Sequence, residues 1–257
     1  MTENEKSSLL GKKIFFLHPS ALVQNQVVSE LAQEEFEVYV IKDENKIHHA
    51  LKIYPDSILF ANINEAMKES AWVEFIQKIQ KSNETASLNI GIIASSNEEN
   101  TKRKYTELIK LNCGYTVVKS DISAAIKQLA ATLNSVNAKG RRKFIRMVIN
   151  KEANAIVNLP MNGTFINGSI KDISVVGFSC VFPEDPELKK NSLFGDMQIR
   201  LQSQLLKAEG IVFGSRKDGS EEVYVFLFSQ RTDQSVRAKI RKYIQTYLQN
   251  KMDGELG

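Results

Sequence analysis

The stretch ANAIVNLPMNGTFINGSIKDISVVGFSCVF, residues 153–182, decides the fold of the second half of the chain. Residues 153–159 and 164–173 read as strands around a Pro160-Met161-Asn162-Gly163 turn, and 175–182 follows with no helix between. Short runs rich in β-branched and aromatic residues, bounded by turn residues, are the pattern of paired strands. Downstream, after a loop at 183–191, residues 197–201, 206–213 and 223–228 repeat the pattern, with Lys217-Asp218-Gly219-Ser220 as a hairpin turn signal. Six such strands predict a small antiparallel barrel. Residues 232–249 then place Val236, Ile240, Tyr243, Ile244, Tyr247 and Leu248 at helical spacing, a C-terminal helix that closes or flanks the barrel.

Upstream, residues 134–140 are small and polar, the composition of a linker. Before them the pattern changes. Ile14-Phe15-Phe16-Leu17, ended by Pro19, reads as a strand buried on both faces. Ser20 stands where it can cap a helix striped by Leu22, Val23, Val27, Val28 and Leu31. Strand and helix then alternate: a strand at 36–41 and a helix at 44–53 stopped before Pro55, a strand at 57–60 and a helix at 66–80. A strand at 88–94 precedes a helix at 97–111, and a strand at 115–118 precedes a helix at 121–133. Five βα units predict a doubly wound α/β domain with a parallel sheet. The expected organisation is an N-terminal tail at 1–11, the (βα)5 domain at 12–134, a linker at 135–146, and the barrel with its C-terminal helix at 147–257.

Composition narrows the function classes. Of 257 residues, 42% are hydrophobic and 25% charged, near the globular average, so long disorder is not expected. Cys113 and Cys180 cannot make a disulfide framework, and no Cys/His spacing suits zinc. Residues 1–10 lack a basic segment followed by an apolar one, so no signal peptide is expected, and no apolar run is long enough to span a bilayer. The chain is read as cytoplasmic. Charge is uneven: residues 1–138 hold 15 Lys and Arg against 17 Asp and Glu, whereas 139–257 hold 19 against 13. Four positive charges fall in one run, Arg141, Arg142, Lys143 and Arg146, which points to an anionic partner for the second half.

Two motifs carry the functional reading. Arg142-Lys143-Phe144-Ile145-Arg146 is an R-x-x-x-R before the first barrel strand, and Asp172-Ile173-Ser174-Val175-Val176-Gly177 is a D-x-S-x-x-G where two strands meet. Each is common alone. Together, in order, in a basic all-β domain after a linker, they resemble the PilZ domain, a bacterial receptor for cyclic di-GMP, over about residues 139–250. The resemblance implies that Arg142 and Arg146 wrap the dinucleotide from one side, while Asp172 and Ser174 contact base and phosphate from the barrel. The chemistry suits such a ligand: guanidinium forks grip phosphate or guanine O6 and N7, a carboxylate accepts from the guanine N1–H and N2–H₂ edge, and a hydroxyl donates to phosphate. Gly177 suits a backbone position with positive φ or close approach of the ligand. Arg141 extends the run and, by the same resemblance, helps hold a stacked pair of dinucleotides.

The first half resembles the receiver domain of two-component signalling, over residues 12–134, in architecture rather than motif. Where a working receiver needs an acidic pair after its first strand, His18 and Pro19 stand; where its phosphoacceptor ends the third strand, Ala61 and Asn62 stand. Ser95 or Ser96 and Lys119 match the later positions. Magnesium needs oxygen ligands, and phosphoryl transfer to the domain needs a carboxylate. The domain is therefore read as a pseudo-receiver, a docking or dimerising surface, with Asp56 a solvated loop acid.

The bland readings are a solvated linker for the arginines and an Asx-type turn for Asp172 and Ser174. Trp72, Cys113 and Cys180 read as core, and His18, His48 and His49 as no metal site. The resemblance implies a non-enzymatic effector with cyclic di-GMP as ligand, no cofactor, and a downstream protein partner reached through the pseudo-receiver. Its regulated processes would be motility, adhesion or virulence. The rivals are a ligand-independent adaptor and a barrel for single-stranded nucleic acid, the latter short of interleaved aromatics beyond Phe144 and Phe165.

Overall fold

The structure is a computed structural model. It describes residues 11–257 except 83, 84, 86, 87, 109, 110, 120, 151 and 152. The expected tail at 1–11 lies, but for Gly11, outside the described residues. The chain divides into two compact units, Met1–Lys143 with Gln249–Gly257, and Phe144–Leu248.

The first unit holds five parallel strands, β1 (Ile14–Leu17), β2 (Val38–Ile41), β3 (Ile58–Asn62), β4 (Asn89–Ala94) and β5 (Tyr115–Val117), in the order β2-β1-β3-β4-β5. This is a doubly wound order whose direction reverses between β1 and β3. Every residue of β1 and β3 is buried, as strands covered on both faces require. The helices are α1, a wide-wound turn at Val23–Val28 running on into Ser29–Gln33; α2 (Glu44–Ile53); α3 (Glu69–Lys81); α4, Glu99–Arg103 running on into Lys104–Leu108; and α5 (Ile122–Ser135). Asp43 caps α2, accepting from the Asn45 and Lys46 amides at 2.8 and 2.9 Å, and Asp121 caps α5 at the Ala124 amide.

Two boundaries differ from expectation. The linker expected to start at 135 is still part of the first unit: Ala138 is buried in its core, the Lys12 amide donates to the Ala138 carbonyl at 2.7 Å, and Lys139 lies over the Phe36 ring. Residues 249–257, expected with the barrel, also count with the first unit. There the Gln249 carboxamide accepts from the Val40 amide and donates to the Val40 carbonyl, at 2.9 and 3.0 Å, covering open groups of edge strand β2, and the Tyr54 hydroxyl donates to Glu255.

The second unit is antiparallel. Its strands are β6 (Met147–Val148), β7 (Ala155–Met161), β8 (Thr164–Ser174), β9 (Gly177–Val181), β10 (Leu193–Leu201), β11 (Gln204–Asp218) and β12 (Glu221–Phe228). The order β8-β7-β10-β11-β12-β9 closes on itself through the β8–β9 pairing, giving a six-stranded barrel, and β6 adds a short rung to β8. Pro160 and Met161, expected in the turn, end β7; Asn162 and Gly163, at φ 50° and 78°, make the turn alone. Val175 and Val176, expected in a strand, instead form the turn into β9. The final helix, α6 (Gln234–Glu255), runs six residues beyond expectation, and its Ile240, Tyr243 and Ile244 join the barrel core. Within that core Phe178 and Phe226 stack at 5.0 Å.

Candidate functional site

The two motifs lie 26 residues apart between Arg146 and Asp172, and a strand of two residues joins them. Met147 pairs with Ile173 and Val148 with Asp172, so β6 lays the end of the arginine motif along the end of β8. A bulge at Lys171 interrupts the β8–β9 register, leaving Asp172 opposite Ser179 and Ser174 opposite Gly177. An extra residue of this kind re-aims the side chain that follows it.

The result is a compact polar cluster on the barrel. Arg146 Nη1 stands 3.5 Å from Asp172 Oδ1, with the arginine 43% and the aspartate 15% exposed. Ser179, buried, donates to the other carboxylate oxygen, Oδ2, at 2.6 Å. Asp172 thus has one oxygen fixed from within and the other facing a cation that solvent can reach. Arg141 and Arg142 are exposed, and neither has an ion pair among the described residues. They belong to the end of the first unit, which closes at Lys143. Beside the cluster a solvent-open cleft of about 330 Å³ is lined by Ile149, Asn150, Asn154, Ile156, Ser169 and Lys171, among others.

Ser174 and Gly177 have a different task from Asp172. Ser174 is buried; its Oγ accepts from the Val176 amide at 3.4 Å and donates to the Gly177 carbonyl at 3.2 Å, which closes the turn. Gly177 has no positive φ. A Cβ there would lie 2.1 Å from the Phe226 carbonyl oxygen, so the close approach that requires glycine is of the protein's own β12 rather than of a ligand. The polar partners absent from the motifs are Ser179 and Arg237. Ser179 sits two residues past Gly177, directly across from Asp172, and strand pairing was the signal for it. Arg237, on α6, looks in sequence like any cation on the wet side of a helix, yet it is half-buried and bonded to the motif turn.

The mouth of the parallel sheet is built differently. His18 follows β1 at φ 49° and its Nε2 pairs with Glu44 at 2.9 Å. Asn62, which ends β3, donates to the His18 carbonyl at 3.0 Å, and Asn64 accepts from the Ser95 amide at 2.6 Å. Amides therefore bridge the strand ends where a working receiver needs carboxylates. Lys119 is exposed; Ser96 offers its carbonyl to the Tyr115 hydroxyl. Asp56 is exposed and pairs with Lys12 at 2.7 Å. Trp72 is fully buried. Burial pushes the Cys113 thiol up to about 11 and raises that of Cys180 as well, the direction opposite to a nucleophile's. Among the described residues no group of three or more His, Cys, Asp and Glu is placed to hold a metal ion, and no helix is long and apolar enough to cross a membrane.

Residues 140–246 match the PilZ domain family. No curated protein matches the chain. Among solved structures, YcgR from Escherichia coli in complex with c-di-GMP is similar at 12% identity and a TM-score of 0.40, over 46% of this chain and 50% of that one. The MrkH–c-di-GMP complex of K. pneumonia is similar at 16% identity and a TM-score of 0.36, over 45% and 54%. The chemotaxis response regulator CheY4 of Vibrio cholerae is similar at 14% identity and a TM-score of 0.40, over 48% of this chain and 99% of that one. The chain thus covers about half the length of YcgR and of MrkH.

Proposed function

We propose that this chain is a cytoplasmic receptor for cyclic di-GMP that acts by binding rather than by catalysis. The observation that carries the proposal is the convergence, within a PilZ domain, of Arg146, Asp172 and Ser179 beside the Ser174 turn. A dinucleotide with two phosphates and two guanines needs forked donors and a fixed acceptor. In this proposal Arg146 leaves its long contact with Asp172 for a phosphate, and Arg142 and Arg141 close on the ligand from the preceding segment. Asp172, held at Oδ2 by Ser179, then accepts from a guanine edge. Ser174 and Gly177 hold the turn that presents it.

Hydrogen bonds to charged groups contribute roughly 1.5–3 kcal/mol each, so three or four reach the ~8 kcal/mol of micromolar affinity. The proposed output is a change of interdomain or partner contacts. Ligand orders residues 141–146, and the pseudo-receiver offers or withdraws a surface to a protein that regulates a process such as motility. Superimposable scattering profiles with and without saturating ligand would remove this step.

Titration calorimetry of the full chain with cyclic di-GMP, beside Arg142→Ala and with GTP as control, tests the receptor reading. Saturable micromolar binding that GTP does not reproduce and the variant loses is the expected result, and the stoichiometry decides the role of Arg141. Absence of binding in two independent assays would leave a ligand-independent adaptor as the better account.

A further inference from the structure

Arg237 lies in the first turn of α6 and spends both terminal nitrogens on carbonyls outside its own helix. Nη1 donates to Val175 at 2.7 Å and Nη2 to Ser229 at 2.8 Å, with the Phe228 ring 5.9 Å from the guanidinium carbon. Val175 is the residue after Ser174 in the D-x-S-x-x-G turn, and it is buried. Ser229 directly follows β12. The remaining bonds of the turn are the Ser174 hydroxyl contacts and the Phe228 amide donating to the Val176 carbonyl at 2.9 Å. The turn is therefore pinned from three sides, by its own serine, by the end of β12 and by the last helix. Arg237 supplies the only one of these pins that comes from a distant side chain among the described residues.

We infer that Arg237 is a positioning residue for cyclic di-GMP: it fastens the motif turn to the start of α6, so that the turn is already formed before ligand arrives. This rests on the receptor reading above. A planar guanidinium with two parallel donors can fix two carbonyls in one geometry, which an ammonium cannot. Without it the Val175 carbonyl, buried and stripped of its donor, must turn toward water, and the turn must be re-ordered on binding. A site that is ordered in advance binds more tightly because less freedom is lost at the moment of binding. The same bond makes the coupling reciprocal: a ligand that steadies the turn steadies the first turns of α6.

The test uses the full chain, cyclic di-GMP, and the variants Arg237→Gln and Arg237→Lys. Calorimetry is expected to show Arg237→Gln weakened about tenfold, because the turn must then be ordered at the moment of binding, with Arg237→Lys intermediate. In the wild type, amide exchange is expected to slow on ligand addition both at residues 174–177 and at residues 233–240; in Arg237→Gln only the first segment responds. An Arg237→Gln protein that binds within twofold of a wild type that does bind overturns the inference and leaves the receptor reading intact. A wild type that does not bind overturns the receptor reading, and the inference falls with it. Should Arg237→Gln fail to fold, the wild-type exchange pattern decides: protection at 174–177 with none at 233–240 overturns the inference.

Discussion

Replacing Arg146 with alanine separates ligand affinity from stability more cleanly than any other change in the cluster. The guanidinium is 43% exposed and 3.5 Å from Asp172, a long contact in partial solvent, so its contribution to the free protein is about 0–1 kcal/mol. The backbone beside it is held independently, by burial of Met147 and by the pairing of β6 with β8. For a chain of this size a loss of about 1 kcal/mol lowers Tm by about 2–4 °C. Binding should respond far more. A forked cation lost from a phosphate contact removes roughly 1.5–3 kcal/mol, which is about tenfold to a hundredfold in Kd. The variant also leaves the Asp172 carboxylate beside an anionic ligand without its cation, which acts in the same direction. Arg146→Lys keeps the charge without the fork and should fall between the two. Calorimetry with cyclic di-GMP at fixed ionic strength, paired with thermal melts of the free proteins, reads both quantities. Binding by Arg146→Ala within threefold of wild type would refute the assignment of Arg146 to the ligand. A fall in Tm of about 10 °C would refute the discount for exposure that separates the two effects.

Gly177→Ala should destabilise the free barrel by about 1–3 kcal/mol in urea unfolding, since its Cβ would meet the Phe226 carbonyl oxygen at 2.1 Å and backbone must give way. A variant as stable as wild type would return Gly177 to a direct role with ligand. Phe226→Ala removes a fully buried ring stacked on Phe178 and should cost about 3–5 kcal/mol, read as a lower urea midpoint. Gln249→Ala removes two hydrogen bonds to Val40 and should destabilise the first unit by about 1–2 kcal/mol, with faster amide exchange at Val40; an unchanged Val40 rate would count against the edge-capping role. Asp43→Ala tests a pH dependence. The Lys46 amide bonded to the Asp43 carboxylate holds it below its ordinary value of 3.8, so the cap stabilises the fold above that value and ceases to as pH falls through the lowered one. The variant should melt lower than wild type at neutral pH, and the two melting temperatures should converge in acid.

Much of this molecule was legible because local chemistry and tertiary structure agree. Asp43 and Pro55 bracket α2, and the expected helix at 44–53 has the observed bounds. The apolar runs of β1 and β3 leave no polar face to expose, which is why a doubly wound order could be expected from sequence. What could not be read depends on contacts between distant segments. A strand of two residues has no periodicity, so β6 is not among the strands the sequence predicts. It exists because β8 is eleven residues long and extends past the start of β7, leaving a free edge at Asp172 and Ile173. That edge is what brings Arg146 to Asp172, so the element least visible in sequence assembles the core of the candidate site. The wet-looking Arg237 is similar: only the fold reveals that its nitrogens are spent on the motif turn.

The spacing of D-x-S-x-x-G follows from the same geometry. Asp172 lies just past a bulge and is turned toward Arg146 and Ser179. Two residues on, Ser174 ends the strand and its hydroxyl ties the turn. Gly177 then starts the return strand against β12, where no side chain fits. One fixed position of the motif therefore presents a charge, and the other two build the corner that presents it. A substitution at Ser174 or Gly177 should change stability and affinity together, whereas one at Asp172, whose neighbours stay in place, should change affinity first. A single motif thus predicts two separable responses.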